Sequence, residues 1–317
     1  MKNKKICLVG GGNWGKNHLK TLNELGALGG LVDTNKDILS RAAKKFPDIY
    51  LYNDLNDALL NDVFDGFSVA TPAETHYEVA KKILYTKKPV LIEKPFVLNI
   101  KHAEELVEIA NKDSLTLMVG HLLLFHPAIR KIKELIDGKR IGDLKYIYSN
   151  RLNFGKIRSE ENVFWSLAPH DISLFQFFTN SFPLRVESFG SNIIQNQIDD
   201  SSLTIFEYPN GIKCHLFVSW IHPFKEHRLV FIGTKGMLSF EDSSDQKQII
   251  FHKKRFEKNN EFFIEATKKD EIIKYQTKMP LTEQYRYFID HLNTKQPLIA
   301  NGKHALDVTK ILIKASV

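Results

Sequence analysis

The run Ile6-Cys7-Leu8-Val9 flows straight into Gly10-Gly11-Gly12-Asn13-Trp14-Gly15, and Asp33 closes a second apolar run about a helix-length later. Strand, glycine turn and helix in that order constrain the chain to a βαβ unit. Its backbone can approach a pyrophosphate at a helix N-terminus, and its acid is placed for a ribose diol. Gly10 permits the turn, Gly12 removes a side chain that would collide with phosphates, and Gly15 lets the helix pack closely on the strand. The backbone N–H groups of Asn13, Trp14 and the first helical turn then face the anion. Leu19, Leu22 and Leu25 supply an apolar face for a helix over Lys16 to Leu28. Asp33 can accept from both ribose hydroxyls but would repel a 2′-phosphate, which favours NAD over NADP. The competing reading makes Asp33 a cap of a helix from Lys36 to Lys45.

The alternation continues. Strands are expected at 49–52, 66–70, 89–92 and 115–120, with helices at 55–60, 74–85 and 102–111 between them, a pattern that predicts a doubly wound parallel sheet. Functional groups of such sheets lie at the carboxyl ends of the strands, where Thr71-Pro72 and Glu93-Lys94-Pro95 fall.

The pattern changes near residue 122. A helix over 128–137 stops at Gly138 and another spans 165–178, while extended runs at 144–152, 186–191, 201–208, 212–220, 228–232 and 237–240 are joined by Pro209-Asn210-Gly211 and Gly233-Thr234-Lys235-Gly236. The whole is an α/β Rossmann dinucleotide-binding domain, residues 1–122, followed by an α+β domain with a large, mainly antiparallel open sheet, residues 123–317. Two last helices near 283–292 and 304–315 can pack back on the first domain. The charged stretch 241–278 reads as a solvated antiparallel region.

At 317 residues the chain is long enough for two cores. Its longest apolar runs are too short to span a bilayer, and Met1-Lys2-Asn3-Lys4-Lys5 leads into the first strand without a signal-peptide core, so a cytoplasmic protein is expected. Cys7 and Cys214 lie inside strands and read as small buried hydrophobes. The net charge of +7 comes without a basic arm or finger, which argues against nucleic acid. His121 and His126 lack partner spacing for a metal, and none is expected.

Taken together, Gly10-Gly11-Gly12-Asn13-Trp14-Gly15, Ala70-Thr71-Pro72, Glu93-Lys94-Pro95 and Gly233-Thr234-Lys235-Gly236 resemble the Gfo/Idh/MocA oxidoreductase family over essentially the full chain. The resemblance implies NAD as cofactor, with Glu93 and Lys94 beside it. Arg151-Leu152-Asn153-Phe154-Gly155 and Trp165-Ser166-Leu167-Ala168-Pro169-His170-Asp171 are similar to the branch associated with nucleotide-sugar and surface-polysaccharide genes. That branch usually has aspartate at the position of Ser166.

The resemblance makes His170 the group that removes a hydroxyl proton as hydride leaves, and Lys94 a donor to the same oxygen. Ser166 supplies a neutral hydrogen bond where aspartate would supply charge. Arg151 and Arg158 are candidate contacts to an anionic substrate, and Trp165 a candidate pocket wall. The implied activity is NAD-dependent oxidation of a ring hydroxyl, C3 being the family expectation, of a nucleotide-linked sugar. A ketosugar reductase, a free-sugar or inositol dehydrogenase, and a non-catalytic NAD-binding regulator stay open. A homodimer or homotetramer is expected through the second-domain sheet, whose Phe206, Leu216 and Val218 need cover.

Overall fold

The computed structural model describes residues 4–159, 161–259, 261–292 and 296–315, which form two compact units. The first comprises the chain to Phe125 together with Lys278–Lys310, and the second runs from His126 to Thr277 with the chain from Ile311 onward.

In the first unit, β1 (Ile6–Val9), β2 (Leu28–Val32), β3 (Tyr50–Tyr52), β4 (Gly66–Val69), β5 (Val90–Ile92) and β6 (Leu117–Val119) make a parallel sheet in the order β3-β2-β1-β4-β5-β6. Helices α1 (Gly15–Glu24), α2 (Lys36–Lys45), α3 (Leu55–Leu59), α4 (His76–Tyr85) and α5 (Ile100–Lys112) make the crossovers. Every residue of β1 is buried, as a parallel strand covered on both faces requires. Asn35, Asp54 and Asn99 cap α2, α3 and α5 by accepting backbone N–H groups. The strand order reverses between β1 and β4, which opens the crevice where such sheets bind ligands.

The first helix is shorter than its leucine period suggests. It stops at Glu24, Gly26 turns the chain at φ +66°, and Leu28 pairs with Ile6 as the start of β2. Residues Ala27 and Leu28 are apolar because the sheet buries them, so the helical period ran on into the next strand.

The chain returns to this unit at its far end. In α8 (Pro280–Asp290) Leu281, Gln284, Tyr285 and Phe288 are buried. The Val119 N–H donates to the Ala300 carbonyl at 2.8 Å, just before α9 (Gly302–Ala315).

The second unit opens with α6 (Pro127–Asp137). Strand β7 (Leu144–Phe154), α7 (Val163–Thr179), β8 (Arg185–Ser191), β9 (Ser201–Glu207), β10 (Lys213–Ser219), β11 (Ile221–Gly233), β12 (Met237–Glu241) and β13 (Ile249–His252) follow. With β16 (Glu271–Ile273) the strands order as β16-β13-β12-β11-β7-β10-β9-β8. The sheet is mixed, because β7 and β10 run parallel while the other neighbours are antiparallel. Strand β11 begins earlier than its apolar core indicates, its register shifting between Ile221 and Glu226 around Pro223, where a strand tolerates proline. The charged stretch after β12 is only partly solvated, since Ile249 and Phe251 of β13 are buried. Exposed β14 (Lys254–Asn259) and β15 (Phe262–Thr267) pair as a separate ribbon.

Helix α7 covers one face of this sheet, and the Phe175 and Phe206 rings meet edge to face at 5.4 Å. Leu216 and Val218 are fully buried on that face. The three residues expected to need a partner are therefore already covered. The register places Phe189, Leu203, Ile205 and Phe217 on the opposite face. Both cysteines are buried, and burial pushes their thiols up, out of the reactive range. Among the described residues no helix is long and apolar enough to cross a membrane.

Candidate active site

The glycine turn follows β1 directly. Gly10 sits at φ +96°, where a Cβ would come within 2.8 Å of the Ala70 carbonyl oxygen, and a Cβ on Gly15 would lie 2.2 Å from the Gly10 oxygen. Those two positions require glycine for conformation and close approach. A Cβ on Gly12 would meet nothing within 4 Å, so that glycine faces open space, as a phosphate cradle demands.

Gly10, Gly12, Asp33, Thr71 and Pro72 all line one cleft of about 600 Å³ at the carboxyl ends of β1, β2 and β4. Asp33 does not cap α2, a task Asn35 performs. Its carboxylate accepts the Gly11 N–H at 2.7 Å and the Asn35 N–H at 2.8 Å, tying the glycine turn to the end of β2. A carboxylate has further lone pairs, so diol recognition stays chemically open to it.

The Glu93-Lys94-Pro95 turn follows β5. Burial works against charge on Glu93, but the His18 imidazole at 3.1 Å, the Trp14 indole and the Lys94 backbone N–H together hold it below the usual carboxylate range. Asn13 and Trp14 are exposed at the head of α1, and Trp14 thus links the glycine turn to Glu93. Buried His76 spans the two motif turns, with Nδ1 2.8 Å from the Pro95 carbonyl and Nε2 2.9 Å from the Thr71 carbonyl. Lys94 is half-buried beside this framework. His121, just past β6, packs edge-on against His304 at 5.4 Å, and burial lowers both, His304 to about 4.

In the second unit, Ser166 and His170 lie one turn apart on α7, with Ser166 buried and His170 half-buried. Asn162 caps the helix by accepting the Trp165 N–H, and Pro169 inside it has no N–H to offer the preceding turn. Arg151 is paired within the second unit. The residue is 8% exposed, and its guanidinium bonds Asp171 in paired geometry, Nε to Oδ2 at 2.6 Å and Nη2 to Oδ1 at 3.0 Å. The Ser149 hydroxyl adds a third bond to Asp171 at 2.7 Å. A cation committed in this way anchors α7 to β7 beside His170. Arg158 pairs with Glu161 in the exposed loop before α7. His227 lies near this pair, and burial, with Arg151 close by, lowers it to about 4, so it is neutral.

Sequence reasoning missed His18, His76, Tyr285 and Asp171. Only Asp171 carried a signal, as a lone acid in an apolar helix with no cation one turn away.

Residues 4–121 match an oxidoreductase family with an NAD-binding Rossmann fold, and residues 129–239 match the Gfo/Idh/MocA C-terminal domain. The chain belongs to the Gfo/Idh/MocA oxidoreductase family, and its first unit is that family's NAD-binding Rossmann fold. A UDP-N-acetylglucosamine 3-dehydrogenase of Acidithiobacillus ferrooxidans is 30% identical over 205 residues, 63% of this chain and 62% of that protein, less than two thirds of its length. A crystal structure of that bacterium's UDP-N-acetylglucosamine 3-dehydrogenase superposes with a TM-score of 0.86 at 21% identity, covering 99% of this chain and 97% of the other. A scyllo-inositol dehydrogenase from Lactobacillus casei, solved with NAD(H) and scyllo-inositol, gives 0.81 at 20% identity over 99% and 96%. At these identities the superpositions establish the fold alone.

Proposed function

We propose that the protein oxidises a ring hydroxyl, at C3, of a nucleotide-linked hexose, with NAD as acceptor. The observation that carries the reading is the cleft that gathers Gly10, Gly12, Asp33, Thr71 and Pro72 at the strand ends of an NAD-binding fold. The relative that acts on a UDP-sugar supports the substrate class.

Each role follows from chemistry. Asp33 accepts from the adenosine ribose, and the glycine turn admits the pyrophosphate. Bound NAD supplies the hydride acceptor. As the carbinol C–H bond breaks, His170 takes the proton from the hydroxyl oxygen, and the C=O bond forms. Lys94 donates to that oxygen and stabilises its alkoxide character. Ser166, one turn before His170, bonds a sugar hydroxyl without adding charge, and Trp165 forms an apolar wall. Arg158 exchanges Glu161 for the anionic part of the substrate. The protein acts as a homo-oligomer.

The test is a panel of UDP-N-acetylglucosamine, dTDP-glucose, free glucose and myo-inositol, each incubated with NAD and with NADP and followed by absorbance and product mass. Conversion of nucleotide sugars with NAD is the expected result. Preference for free sugars, inositol or NADP overturns the corresponding part, and NAD binding without conversion in either direction favours a regulator.

A further inference from the structure

The residues on either side of Lys94 are both held by buried histidines, and one of those histidines is itself held from far along the chain. The Pro95 carbonyl lies 2.8 Å from His76 Nδ1. Glu93 accepts the Lys94 backbone N–H at 3.2 Å and lies 3.1 Å from His18 Nε2. The other His18 nitrogen, Nδ1, is 2.5 Å from the Tyr285 hydroxyl of α8, which is 2.8 Å from the Ser68 hydroxyl of β4. His18, Tyr285 and Ser68 are fully buried.

The direction of these bonds can be worked out from the end that accepts only. Glu93 can only accept, so for the 3.1 Å approach of His18 to become a hydrogen bond the hydrogen must sit on Nε2. A neutral imidazole has only that one ring hydrogen and its Nδ1 accepts, whereas a charged ring carries a second on Nδ1 and donates to Tyr285. With the neutral ring, Tyr285 donates to Nδ1 and Ser68 donates to the Tyr285 oxygen. In that state the Ser68 and Tyr285 hydroxyls both donate toward the ring that faces Glu93, an arrangement in which each bond strengthens the next in a dry interior.

We infer that Tyr285 is a positioning residue for Lys94: it holds His18 as the neutral Nε2–H tautomer, the Nε2–H facing Glu93 at 3.1 Å orients that carboxylate, and Glu93 holds the Lys94 backbone. This deepens the proposed function and rests on the role given there to Lys94. It also gives the returning C-terminal segment a task in the site beyond covering the sheet. The ring of Tyr285 packs edge-on to His18 at 5.5 Å, so Tyr285→Phe keeps the packing and removes only the polar link.

The experiment compares the NAD-saturated full chain as wild type, Tyr285→Phe, His18→Gln and His18→Ala. Nitrogen-15 NMR of the histidine rings reads the tautomer. Competitive acetylation by acetic anhydride, resolved by mass spectrometry, reads Lys94 reactivity against the exposed Lys139. UDP-N-acetylglucosamine with NAD reads turnover. Wild-type His18 is expected as the Nε2–H form and Tyr285→Phe as a mixture. In Tyr285→Phe, Lys94 acetylation should fall about threefold, because a released Glu93 can pair with the ammonium and keep it protonated. The kcat should fall about tenfold with KM little changed, the mark of lost transition-state alignment. His18→Gln, whose amide N–H can replace Nε2–H, should recover Lys94 reactivity relative to His18→Ala.

A wild-type His18 protonated on Nδ1, or a Tyr285→Phe protein with unchanged tautomer and Lys94 reactivity, overturns the inference. Should Tyr285→Phe fail to fold, the wild-type tautomer and the His18 pair of variants still decide it. Neither NMR nor acetylation needs a sugar to react. Inactivity toward nucleotide sugars would therefore defeat the proposed substrate and leave these readouts to judge the inference separately.

Discussion

At Lys94 one ammonium stabilises one oxygen in the proposed reaction. Losing a preorganised donor of this kind costs about 3 kcal/mol of transition-state stabilisation, roughly a hundredfold in rate. Lys94→Ala should accordingly lower kcat by about that factor while NAD affinity, measured by titration, changes little. Turnover near the wild-type value would remove Lys94 from the reaction. The glycines and Asp33 could be recognised in sequence because each does its work within a few residues of itself. Arg151 could not. Its charge suggested an anionic ligand, but its partner, Asp171, comes from another element, and burial turned a surface cation into an internal anchor. His18 and Tyr285 were invisible for the same reason, since neither has meaning until the chain returns to the first unit.

At the scale of elements, that anchor joins α7 to the strand beneath it. Removing one partner of a buried, paired charge costs about 3–5 kcal/mol, because the other is left unpaired, whereas replacing both with apolar residues of similar size is often close to neutral. Arg151→Met should therefore unfold at markedly lower denaturant than wild type, and Arg151→Met with Asp171→Leu should recover much of the loss. Equal stability of the single variant and wild type would contradict the anchor. Helix and strand identities were mostly legible from periodicity, but boundaries were not. The α1 period ran on into β2, where Ala27 and Leu28 are apolar for the sheet's sake, and β11 began early, behind a polar, proline-bearing bulge. In the first case tertiary burial overrode a local pattern, and in the second backbone pairing with β7 carried the strand through residues that are not buried.

At the scale of the whole molecule, a Rossmann fold followed by an α+β domain was legible in the switch from alternating strands and helices to successive strands. It did not reveal which face of the second sheet was left open, because strand alternation shows that there are two faces without saying which one a helix will take. With α7 on one side, Phe189, Leu203 and Ile205 stay 62%, 39% and 37% exposed on the other. A continuous apolar face of this kind favours a second copy of the chain. Leu203→Glu with Ile205→Lys should reduce the mass found by light scattering to that of a single chain without loss of the fold. A wild-type protein that is monomeric across a broad concentration series would contradict self-association.

The central claim, that a ring hydrogen of a nucleotide sugar passes as hydride to NAD held in the first unit, is tested most directly with UDP-N-acetylglucosamine deuterated at C3. The protein is incubated with this sugar and NAD, then denatured, and the cofactor is weighed by mass spectrometry, so that NADH retained in the site is also counted. The account predicts NADH one deuterium heavier than the NADH formed from unlabelled sugar, with a keto product lacking that deuterium. Reduced cofactor without deuterium would place the oxidation at another carbon, and a fully unreduced cofactor beside an intact sugar would contradict the proposed activity.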